Sequence, residues 1–407
     1  MTEPASFLRR FRRVFWQPPR AHGDTVEDRT VTFLELFYDL VFVVVIGRAS
    51  HALAVQVTWR SVGTFAVVFT MIWLAWLNGA VYHDLHGRED GRTRVVVFVQ
   101  MLLLSLLAVF AADAGGDGGR AFAIVYALDM AVLTWFWYVV RRQDAPEFGR
   151  LTGRYLIAMI VSVVVIGASA ALPPDPRLVV WGLFGLGWVV GGSVLDRSIE
   201  VGRSGIAASA SLAERFGLFV IIVLGEVVVG VVSGLSEAEP DASAIATGLI
   251  GLTIGFGLWW TYFDFVARRR PRNEPGARAV WMFGHLPVAM AITASGAAMV
   301  SLIAHGHEDR APAATAWLLG AAVACGLLAL ILVMSALEDR RRFPSVYDTL
   351  LVTLVVAAAV VAAIGWWGPA PLVLVSAIAL TLVAVWLIAV ARWMDLDDPA
   401  AALPPSA

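Results

Sequence analysis

The residues of this chain that could do chemistry are ionisable groups set inside apolar runs. Glu35 and Asp39 stand four apart within Thr32 to Ala54, T-F-L-E-L-F-Y-D-L-V-F-V-V-V-I-G-R-A-S-H-A-L-A. On a helix they share a face with Phe42 and Ile46, while Arg48 and His51 lie nearer the opposite face and the far end. A run of this length crosses a bilayer as one helix. An ionised side chain at membrane depth costs from about 3 to more than 10 kcal/mol, so each needs a partner, water or a task. Buried carboxylates titrate or bind cations, which makes ion binding or proton relay the chemistry this pattern allows. The other candidates for that work are Gln100, Asp129, Glu214, Arg215, Glu226, Asp264 and His285, with Arg48 and His51 as a separate outer layer.

Each candidate has a plain alternative. Glu35 and Glu214 can be helix N-terminal carboxylates favoured by the macrodipole, and Arg215 can pair with a neighbouring helix as architectural glue. Asp39 and Glu226 lie about two turns or more from either end of their runs, where that reading fits less well. His285, in H-L-P, can titrate near neutrality or stay a neutral structural ring. His305 to Asp309, H-G-H-E-D, has metal-like residue types at uncontrolled spacing and reads as a solvated loop, so no metal site is expected.

These groups must be positioned by membrane helices. The 407 residues are 59% hydrophobic, with a mean hydropathy of +0.76, far more apolar than a soluble globular chain. Twelve apolar runs of about 20 residues qualify as spans. They fall near 33–54, 61–82, 94–112, 120–140, 152–172, 177–195, 210–233, 242–265, 279–303, 314–337, 347–366 and 370–392. The thirty basic residues are all Arg, and their placement tests this count. With the N-terminus inside, the inner segments hold Arg88, Arg92, Arg94, Arg141, Arg142, Arg150, Arg154, Arg197, Arg203, Arg268 to Arg270, Arg272, Arg278 and Arg340 to Arg342. The outer loops hold only Arg60, Arg120, Arg177 and Arg310. The expected fold is therefore an all-α integral membrane protein of about 12 transmembrane helices, N-in and C-in.

A six-span repeat is also expected. S-L-A-E-R-F-G-L-F from Ser211 superposes Glu214 and Phe216 on Glu35 and Phe37, and two spans on, Gln100 faces His285. Two parallel six-helix halves, 31–203 and 204–393, follow from this match. They are flanked by an N-terminal segment, 1–30, and a disordered C-terminal tail, 394–407. The first three helices of each half hold most of the buried polarity, so the working centre is expected where spans 1 to 3 meet spans 7 to 9. The N-terminal F-L-R-R-F-R-R-V-F-W spaces Phe7, Phe11 and Phe15 four apart among Arg9, Arg10, Arg12 and Arg13. It reads either as a basic amphipathic helix on anionic lipid or as a disordered arginine tail. Cys325 stands alone, which excludes an intrachain disulfide. No P-loop, dinucleotide fingerprint, nucleophile elbow, zincin or haem-attachment motif occurs, so no enzyme activity, cofactor or nucleic-acid partner is expected.

At T-F-L-E-L-F-Y-D-L-V-F-V-V-V-I and L-A-E-R-F-G-L-F-V-I-I-V-L-G-E, the chain resembles the bacterial low temperature requirement A (LtrA) family, as do the H-L-P of the ninth span and the overall length. The resemblance implies a multi-pass inner-membrane protein associated by name with growth in the cold, and it carries over no catalytic residues. Phe37 to Ile46 is also similar to the F-S-D-G-V-F-A-I-A-I signature of a lysosomal and bacterial potassium-channel family, with Tyr38 and Leu40 in place of Ser and Gly. The functional expectation is an ion channel or ion-coupled transporter with a buried acidic network. The alternative is a non-transporting membrane protein that binds lipid or a partner. Expected partners are the bilayer, anionic lipid at the cytoplasmic face and an ion or small solute, and the chain is compatible with a homo-oligomer.

Overall fold

The computed structural model describes residues 9–11, 14–22, 30–198, 209–237 and 241–396. Among these the fold is all-α, with one isolated bridge joining Pro271 and Leu337. Twelve long helices follow in order: α1 Phe33–Val55, α2 Trp59–His86, α3 Gly91–Ala111, α4 Gly119–Gln143, α5 Gly149–Ser169 and α6 Pro174–Ser198, then α7 Ala210–Glu237, α8 Ala242–Phe265, α9 Ala277–Ala304, α10 Ala313–Ser335, α11 Pro344–Trp367 and α12 Pro371–Met394. Each coincides with one of the twelve apolar runs. Eleven of them, α2 to α12, are long and apolar enough to cross a membrane, and α1 is a 23-residue helix interrupted by Glu35, Asp39 and Arg48. The protein is thus an all-α, multi-pass membrane protein. Arg12, Arg13 and 397–407 lie outside the described residues.

Local chemistry sets the helix ends. Thr32 and Glu35 form a capping box. The Glu35 backbone N–H donates to the Thr32 hydroxyl at 3.3 Å, and the Thr32 N–H donates to the Glu35 carboxylate at 3.0 Å. Asp90 caps α3 by accepting from the Thr93 N–H at 3.0 Å, and Asp241 caps α8 by accepting from the Ala244 N–H at 2.6 Å. Pro344 and Pro371 open α11 and α12, where their missing N–H costs nothing. Gly368, in the left-handed region at φ 60°, closes α11.

Packing divides the chain into two units. The first comprises 1–48, 70–188 and 202–212, and the second comprises 49–69, 189–201 and 213–407. In the first, α4 packs on α3 and α5, and side-chain hydrogen bonds tie neighbouring helices together. The Tyr126 hydroxyl donates to the Met71 carbonyl at 3.0 Å, Tyr155 donates to Asn78, and Trp181 and Trp188 donate to Ser169 and Ser162 at 2.9 and 3.0 Å.

The described N-terminal residues are held to the same unit. The Gln17 N–H donates to Asp90 at 2.8 Å, the Arg20 guanidinium to the Asp84 carbonyl at 2.7 Å, and the Gln143 amide to the Pro19 carbonyl at 2.6 Å. His22 meets the Asp144 carboxylate at 2.9 Å and sits edge-on to His86, with ring centroids 4.5 Å apart. Residues 17–22 thereby strap the ends of α2, α3 and α4.

In the second unit α9 is enclosed along most of its length by α8, α10 and, through one close crossing, α7. That crossing depends on bare backbone. A Cβ on Gly296 would lie 2.5 Å from the Glu226 carbonyl oxygen, and one on Gly230 would lie 2.1 Å from the Gly296 carbonyl oxygen. Gly320 and Gly365 make the same kind of contact between α10 and α11.

Two outcomes follow from this packing. Gly296→Val should destabilise the protein by roughly 1–3 kcal/mol or more in thermal melts in detergent. Gly63→Ala, whose added methyl meets open space, should stay within about 0.5 kcal/mol of the parent. Equal melting of the two variants would contradict the crossing. Asp144→Ala removes the acceptor for His22 and for the Thr152 hydroxyl at 2.6 Å, and should speed hydrogen exchange at the Arg20 amide roughly 5- to 30-fold. Unchanged exchange there would show that the strap is held by other means.

Candidate functional site

Elements of the first unit place two of the carboxylates deep among apolar helices. Asp39, one turn beyond the capping box of α1, is 1% exposed and accepts from the Trp76 indole N–H of α2 at 3.0 Å. Tyr38 beside it is also buried, its ring edge-on to Phe42 and His83. Gly79 leaves room for the Tyr38 hydroxyl, which an added Cβ would approach to 2.8 Å. Gln100 of α3 and Asp129 of α4 are 1% and 2% exposed and lie near one another. Yet among the described residues neither Gln100 amide atom nor the Asp129 Oδ1 has a hydrogen-bond partner of good geometry, so three polar atoms are left unmet between two packed helices. A buried polar atom without a partner costs about 1–3 kcal/mol, so the pair is expensive to maintain.

The second unit holds a different set. Glu226 of α7 is 4% exposed and lies near the Ser50 side chain. His285 of α9 is fully engaged. Its Nδ1 lies 2.7 Å from the Trp281 carbonyl, which can only accept, so Nδ1 carries the proton. Nε2 is then the acceptor for the Tyr262 hydroxyl at 3.1 Å. Phe216, Trp281 and Tyr262 enclose the ring. This geometry describes a neutral histidine with both nitrogens satisfied. Asp264, half-buried at the end of α8, accepts from the Trp386 indole at 3.3 Å, while its carbonyl accepts from Arg269 at 2.8 Å.

The remaining candidates are dispersed. Glu35 is buried and committed to the α1 cap, Arg215 is fully buried, and Glu214 is exposed. Arg48 and His51 are exposed, as are Arg9 and Arg10. Among the described residues, no group of three or more His, Cys, Asp or Glu could hold a metal. Three polar contacts were not anticipated from the residue pattern. They are Trp76 as the donor to Asp39, Tyr155 as the donor to Asn78, and the His22, His86 and Asp144 cluster. Only Trp76 left a trace, as an indole placed well inside an apolar run rather than at its edge.

Comparison with known proteins adds identity to this geometry. Over 300 residues the chain is 25% identical to an uncharacterized protein, RA0937, of Rhizobium meliloti (strain 1021), covering 70% of this chain and 72% of the relative. No solved structure matches, and the likeness of Phe37 to Ile46 to a potassium-channel signature finds no support. The model of the bacterial low temperature requirement A protein family matches residues 30–391, nearly the whole chain, and the protein belongs to that family.

Proposed function

We propose that this protein moves a cation or proton across the bacterial inner membrane, as a channel or an ion-coupled transporter. The observation that supports the reading is the Gln100 and Asp129 pair, with three buried polar atoms unmet among the described residues. Helices built for packing alone would satisfy or omit such groups, because neither backbone nor lipid supplies a partner there. A mobile cation can be coordinated by the Asp129 Oδ1 and the Gln100 Oε1, and a bridging water can donate to those oxygens and accept from the Gln100 Nε2. Asp39, held by Trp76, and Glu226, near Ser50, are further carboxylates at interior helix positions. His285, with both nitrogens satisfied, serves in this reading as a fixed support. The Arg distribution orients the chain with both termini in the cytoplasm.

A second reading, binding of anionic lipid without transport, draws support from the N-terminus. Exposed Arg9 and Arg10 adjoin an exposed aromatic group in which Phe11 stacks on Phe15 and Trp16 at 5.9 and 6.5 Å. Such a surface suits the headgroup region of a charged leaflet.

Vesicles reconstituted with purified protein and loaded with pH- and cation-sensitive dyes distinguish the two. Flux is expected for the parent, with about tenfold or greater loss in Asp129→Asn and Asp39→Asn at unchanged folding. Folded protein that passes neither protons nor cations under any imposed gradient would end the transport reading. For the second reading, native mass spectrometry after delipidation should show one retained class of anionic lipid that disappears when Arg9, Arg10, Arg12 and Arg13 are replaced together by Gln. Retention that ignores those replacements would remove the N-terminus from lipid binding.

A further inference from the structure

The first unit contains a cavity of about 450 Å3 between the start of α1, the end of α2 and the start of α3. Its walls mix charge, hydroxyls and hydrocarbon, including Arg88, Arg94, Glu35, Glu89, Thr93 and Phe33. The walls thus carry both signs of charge. The Glu35 carboxylate accepts from Thr32 in the α1 cap, and Glu89 is exposed. The Thr93 hydroxyl donates to Asp90 at 2.8 Å, which leaves its lone pairs rather than its proton facing outward. Arg88 differs from the exposed arginines elsewhere. It is half-buried, its Nε is closed off from solvent, and that nitrogen has no hydrogen-bond partner. No described carboxylate pairs with Arg88 or Arg94.

A half-buried guanidinium whose Nε has no partner favours a nearby anion, since its fork geometry suits two parallel bonds to a carboxylate or phosphate. The neighbouring start of α3 adds the positive end of a helix dipole. The cavity also offers apolar surface in Val31, Leu34, Val97 and Phe33, the last of them 90% exposed. A simple inorganic anion uses only the charged side of such a space. A molecule with an anionic phosphate at one end and hydrocarbon at the other uses both.

We propose that this cavity binds a phosphate ester of net negative charge, its oxyanion held by Arg88 and Arg94 and its hydrocarbon portion lying along Phe33 and Val97. The ester can belong to a phospholipid headgroup or to a small soluble phosphate. The arginines of this site are not the residues on which the transport reading rests, so a failure of that reading leaves the proposal untouched.

The test uses the full chain and two probes, phosphatidylglycerol and glycerol 3-phosphate, with phosphatidylcholine as the zwitterionic control. Phosphatidylglycerol should survive as a bound adduct in native mass spectra of the parent, with occupancy reduced about tenfold in Arg88→Gln and in Arg94→Gln. Arg150→Gln, at an exposed arginine near the start of α5, should retain it. Arg88→Lys keeps the charge and loses the fork, so an intermediate occupancy is expected. If glycerol 3-phosphate instead raises the melting temperature of the parent but not of Arg88→Gln, the site stands and its ligand is a soluble ester. Should Arg88→Gln fail to fold, as judged by circular dichroism and gel filtration, Arg94→Gln and Arg88→Lys decide the matter. Equal phosphatidylglycerol occupancy and equal glycerol 3-phosphate response across parent and folded arginine variants would overturn the proposal, as would retention of phosphatidylcholine to the same extent.

Discussion

Asp129 and Gln100 lie near one another on α4 and α3 with three polar atoms that no described residue satisfies. Helices close most of their own backbone hydrogen bonds, so most of the polarity left inside each unit is carried by side chains. Several of those side chains have a partner. Trp76 donates to Asp39, Tyr262 and the Trp281 carbonyl meet His285, and Tyr155 donates to Asn78. Other buried polar atoms, the Trp281 Nε1 and Thr247 Oγ1 among them, are left without one. The α3 and α4 pair differs in bringing three such atoms, one of them a carboxylate oxygen, close together.

The same constraint explains the distribution of small residues. Close crossings at Gly230 with Gly296 and at Gly320 with Gly365 bring backbones together so tightly that no side chain intervenes. Without a hydrophobic driving force between helices in lipid, such van der Waals contact and the side-chain hydrogen bonds are what hold the helices in place. Glu226 lies at the first of these crossings, its backbone carbonyl against Gly296 and its side chain buried. A mutation on either side of that crossing therefore moves a buried carboxylate as well as a helix.

The helices were legible in the chain because their signal is length and polarity, both local properties. α8 spans 242–265 as the apolar run does, and the start of α1 is written in Thr32 and Glu35, three apart as a capping box requires. Most partners of the buried polar groups were not legible, because they depend on which helices become neighbours. Asp39 finds its indole 37 residues away, and Tyr155 reaches Asn78 across 77. The strap is the extreme case. His22 meets Asp144 across 122 residues, and nothing in the composition of residues 14–22 marks them as a segment held by helix ends. Of the candidate residues, the carboxylates at interior helix positions were identifiable from depth alone. The roles of Glu35 as a cap and of His285 as a satisfied neutral ring required the geometry.

Difference infrared spectroscopy of the protein in lipid membranes addresses the α3 and α4 pair most directly, by following the carboxyl band of Asp129 as pH and cation concentration are changed. If the pair handles ions, a carboxyl signal should respond to one of these, vanish in Asp129→Asn and shift in frequency in Gln100→Leu. A spectrum with no Asp129-dependent change under any condition, in protein that still supports flux, would contradict the assignment of this pair as the ion-handling site.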